Sequence, residues 1–69
     1  MTKDELRLFS DACQALAVYS ELHADQYPIH TFIPDALKAL EEAERVFIEH
    51  RAEIPRAMTH LLNRARIEA

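Results

Sequence analysis

Among 69 residues there is not one glycine. Tight hairpins and phosphate-cradling loops need positive φ or a close backbone approach, which glycine supplies almost alone, so both are excluded. The chain is predicted to be all-helical. Its length allows one domain spanning 1–69. A chain this short buries only about 60% of the surface it exposes when unfolded, so it needs very good helix packing or self-association. The lone cysteine, Cys13, supplies no internal disulfide.

The start reads as a capping box, in which Thr2 accepts from the Glu5 amide and Glu5 reaches back to Thr2. Asp4 adds charge favourable to the helix dipole. Helix 1 is expected over about 3–24. Two apolar rows run along it. One contains Leu6, Phe9, Cys13 and Leu16, then Ser20 and His23. The other contains Leu8, Ala12, Ala15, Tyr19 and Leu22. Together they span roughly 220°, about twice the stripe that one packing partner needs. Helix 1 therefore requires two partners, and the second is expected to be another copy of the chain. The expected dimer seam uses Leu6, Phe9, Cys13, Leu16 and Tyr19, with the row of Leu8, Ala12, Ala15, Tyr19 and Leu22 as the alternative.

Residues 25–33 form the connection, because Pro28 cannot continue a helix and biases Tyr27 towards extended geometry. Thr31 is a candidate cap and Pro34 sits in the first turn of helix 2, where its missing amide costs nothing. Ala36, Leu40, Ala43, Phe47, His50, Ile54, Ala57 and Leu61 then keep one phase across Pro55. None of Ala52, Glu53 and Ile54 is a turn former, so one long helix over about 34–66, kinked at Pro55, is preferred to a helix-loop-helix break at 51–55. The expected architecture is an antiparallel helical hairpin forming a homodimeric bundle.

Composition narrows function. Twelve acidic and eight basic residues give a net charge of -4, against non-specific nucleic-acid or anionic-membrane binding as the main task. No apolar run approaches the ~18 residues of a spanning helix, and the start lacks the order of a signal peptide, so a cytoplasmic protein is expected. Cys13, His23, His30, His50 and His60 have no spacing suited to zinc, and no metal or other cofactor is expected. Cys13 lies on an apolar face, where a free thiol packs rather than reacts. Glu41, Glu42, Glu44 and Glu49 read as a solvated helix face, and no enzyme is expected.

Residues 1–54 carry five basic and eleven acidic groups, net -6, whereas 55–69 carry Arg56, Arg64 and Arg66 against Glu68, net +2. The polar side of that last segment resembles a groove-lining recognition helix, which keeps a small DNA-binding regulator as an alternative. Arginines there also complement the C-terminal end of a helix dipole. Protein recognition is favoured, because aromatic residues and arginines anchor interfaces. Tyr27 and Phe32 in the connection, with Arg56, His60 and Arg64 on the C-terminal polar side, are the expected partner-binding residues. Phe32 serves equally as a plug closing the end of the hairpin.

The short start MTKDELRLF, the single connection ADQYPIHTFIP and the long amphipathic segment PDALKALEEAERVFIEHRAEIPRAMTHLL together give a whole-chain format. It resembles small, acidic, helical early proteins of temperate phages, most closely the quorum-sensing anti-activators. The resemblance implies a homodimer that binds and blocks a host protein such as a transcription regulator, with no catalytic residues. Small helical adaptors and secretion chaperone subunits share the format.

Overall fold

The computed structural model describes residues 1–27 and 32–68, and these form three helices with no strand among them: α1 (Lys3–Gln26), α2 (Pro34–Glu49) and α3 (Arg56–Glu68). The capping box opens α1 as expected. The Thr2 hydroxyl accepts the Glu5 amide at 3.1 Å and the Glu5 carboxylate accepts the Thr2 amide at 3.0 Å. At 1.5 Å per residue α1 is about 36 Å long. It therefore sets the 40 Å long axis of a molecule only 18 Å across. Tyr27, the residue before Pro28, leaves helical geometry at φ -121° and ψ 86° while its amide still reaches the His23 carbonyl.

Pro34 opens α2 with Asp35 in the first turn, and the N-cap is Ile33, whose side chain offers no acceptor. Thr31, expected as a cap, lies outside the described residues, as do Ile29 and His30.

The long kinked second helix is not formed. α2 stops at Glu49 and the chain turns back before Arg56. The turn is a Schellman motif in which Arg51 takes the left-handed position at φ 53°. The Arg51 amide bonds to the Ile48 carbonyl at 3.1 Å and the Ala52 amide to the Phe47 carbonyl at 2.9 Å. The His50 ring Nδ1 lies 2.9 Å from the Val46 carbonyl and donates to it in the tautomer protonated there. Pro55 is thus not a kink. It precedes α3, and its carbonyl accepts the Thr59 amide at 3.1 Å as the first bond of that helix.

α2 runs antiparallel to α1, which brings Phe47 beside Phe9 with ring centroids 5.3 Å apart. α3 runs parallel to α1. Its start meets Gln14 and its later turns meet Glu21 and Asp25. The result is an up-down-up bundle in which α3 packs chiefly along α1. Phe47, Leu40, Met58, Leu61 and Leu62 form the fully buried centre. Each such side chain stabilises the fold by about 1.5–3 kcal/mol on burial. The α1 residues buried against this centre are Cys13, Ala17, Ser20 and Ala24.

Most of the expected dimer seam is taken up inside the chain, while Tyr19 stays exposed. Cys13 is buried in the chain's own core, and Leu6, Phe9 and Leu16 pack against that core. Helix 1 finds two partners, but both are within the chain, because the turn at Arg51 folds α3 back alongside it.

Candidate functional site

The outward side of α1 carries large apolar side chains of its own. Leu8 is 70% exposed, Tyr19 59% and Leu22 56%, whereas Ala17 and Ser20 on the inward side are both 0% exposed. The helix thus turns Ala17 and Ser20 to the closest packing, flanks the core with Leu6, Phe9 and Leu16, and leaves Leu8, Tyr19 and Leu22 open. An inward row of Cys13, Ala17, Ser20 and Ala24 leaves room for the bulky core residues of α2 and α3. The outward row of Leu8, Ala12, Ala15, Tyr19 and Leu22 steps by four and three, the 3.5-residue spacing of a helix seam that meets another helix. Val18 borders it and is also exposed.

Beside this row, a groove of about 340 Å³ runs between α1 and α3, with Gln14, Val18, Leu22 and Asp25 on one wall and Arg56 and His60 on the other. Gln14 closes one end. Its side-chain oxygen accepts the Ala57 amide at 3.1 Å, satisfying one of the amides that a helix start leaves without an intrahelical partner. At the other end Glu21 lies 3.5 Å from His60 Nε2, and Arg64 reaches Asp25 at 2.9 Å and Glu21 at 4.0 Å.

The expected partner-binding residues divide. Arg56 and His60 are exposed. Arg56 makes no ion pair among the described residues, and it sits in the first turn of α3 with no acidic residue nearby in that turn. Arg64 is half-buried and held by the carboxylates of α1, with its guanidinium 5.5 Å from the centre of the Phe32 ring. Phe32 is 8% exposed, so it closes the core and is not an open anchor. Tyr27 is exposed and stacks on His23, ring centroids 4.7 Å apart. The C-terminal residues therefore gather against the second half of α1, not near its start as a two-helix hairpin would place them.

Burial raises the Cys13 thiol above its ordinary pKa, which suits a packed side chain and not a nucleophile. Among the described residues, no three of His, Cys, Asp and Glu gather as they would around a metal ion, and no helix is long and apolar enough to cross a membrane. Sequence inspection missed Gln14, Val18 and Glu21 as site residues. Their importance depends on α3 returning beside α1, and no local pattern signals that return.

No family model, curated protein or solved structure matches the chain.

Proposed function

We propose that this is a small non-enzymatic protein-protein interaction module, acting as a homodimer in the cytoplasm, whose contact surface is the outward face of α1. The observation that carries this is a second apolar row on α1, with Leu8, Tyr19 and Leu22 exposed although Leu6, Phe9 and Leu16 already serve the core. Scattered exposed apolar residues need no explanation, but a row at helix-seam spacing marks an interaction surface. The format resemblance supplies the class of target: a host transcription regulator of the quorum-sensing type, disabled by occupation of one of its surfaces.

Direct DNA binding draws no support from α3. Arg64 and His60 face the Glu21 and Asp25 carboxylates, which cancel the positive charge that a phosphate backbone needs.

The test is a reporter gene driven by such a regulator, in cells expressing either the natural chain or a Leu8→Glu, Tyr19→Glu double variant. The natural chain represses the reporter, and the variant, equally helical and equally abundant, does not. Equal repression by both chains refutes the assigned surface, and no repression by the natural chain refutes the assigned target.

A further inference from the structure

The groove between α1 and α3 has opposite charges at its two ends. Arg56 stands at the Gln14 end, where the positive pole of the α3 dipole adds to it; at the other, Asp25 and Glu21 together face the single guanidinium of Arg64 and keep an excess of negative charge. A basic residue in the first turn of a helix is unfavourable to its own helix, since that position favours a carboxylate. Arg56 therefore destabilises α3 locally, and an acidic group outside the chain would account for it. The α1 wall between the two poles is apolar, made by the exposed Val18 and Leu22.

We propose that this groove lies face to face with the same groove of a second copy, packed antiparallel about a twofold axis, with the exposed Val18 and Leu22 meeting across the axis and Arg56 of each chain against Asp25 and Glu21 of the other. This rests on α1's outward face being a contact surface and adds the occupant and its orientation. The positions along α1 fit such an axis. The Arg56 end is level with Gln14, about 16 Å from Asp25 at 1.5 Å per residue. The midpoint between positions 14 and 25 falls between Val18 and Leu22. A twofold axis there sets Val18 of one chain on Leu22 of the other and places each positive pole on a negative one. Parallel packing sets like poles together. A twofold contact must be complementary to itself, and this groove has the required pattern of charge and apolar surface.

Sedimentation velocity on Arg56→Glu, Asp25→Arg and the double variant tests the pairing. Arg56 has no internal ion pair among the described residues and a carboxylate suits that helix start, so Arg56→Glu should keep its helicity. Each single variant should weaken self-association at least about tenfold, and the double variant should restore it to within about threefold. A natural chain that is monomeric at about 10 µM, single variants that associate normally, or a double variant weaker than both singles each overturn the proposal. Leu22→Glu separates the two levels of inference. If it abolishes association while the charge variants do not, the antiparallel register is wrong and the contact surface stands. If it changes neither association nor reporter repression, both fall.

Discussion

The side-chain carbonyl of Gln14, midway along α1, accepts the Ala57 amide at the start of α3 across 43 positions of sequence. Pro55, at the N-cap of α3, has no side-chain acceptor, so α1 supplies the cap that the local sequence lacks. Gln14→Ala should lower stability by about 1 kcal/mol, the usual cost of a lost cap. In a domain of this size that corresponds to about 4–8 °C in a thermal melt. Gln14→Glu keeps an acceptor and adds favourable charge near a helix start, so it should melt no lower than the natural chain.

Arg51 holds a left-handed conformation that a side chain with a Cβ resists. Arg51→Gly relieves that resistance at the C′ position of a Schellman motif and should raise stability by about 1 kcal/mol. Arg51→Val should lower it by more than that, because a β-branched side chain fits the position worst. Urea midpoints of the two variants check both directions. A fall for Arg51→Gly contradicts the turn described here.

The difference between the expected hairpin and the observed bundle lies in this turn. The opening of α1 was legible because Thr2 and Glu5 are three residues apart and satisfy each other locally. Pro34 at the start of α2 was legible because proline's geometry is fixed by its own ring. The end of α2 was not, since an arginine occupies the position where glycine or asparagine gives the usual signal. The continuous phase of Phe47, His50, Ile54 and Ala57 concealed the break. Ala24 gives no sign in the sequence of belonging to the core, and the Gln14 cap has no local trace at all.

Acid should weaken the α1 start in a defined way. The Thr2 amide and hydroxyl bonds hold the Glu5 carboxyl below its ordinary value of 4.5. The folded state therefore binds this proton less tightly than the unfolded one. The resulting stabilisation is complete above 4.5 and is lost as the pH falls through the lower folded value. Glu5→Gln keeps a side-chain acceptor for Thr2 but has no proton to bind. The melting difference between the natural chain and Glu5→Gln should therefore shrink as pH falls from about 6 to 3. A constant difference contradicts the ionised capping box.

Cys13 should be protected from alkylation. It is buried and its thiol titrates high, so iodoacetamide at pH 8 should label it at least about ten times more slowly in the folded chain than in urea. Equal rates would place it at the surface.

α1 presents Tyr19 and Leu22 outward, and sedimentation equilibrium on the natural chain and a Tyr19→Glu, Leu22→Glu double variant tests them as a protein-contact surface. Both side chains are exposed, so the variant should keep its helicity. The natural chain should be a dimer at about 10 µM and the variant a monomer. A monomeric natural chain, or a variant that dimerises equally well, contradicts this assignment.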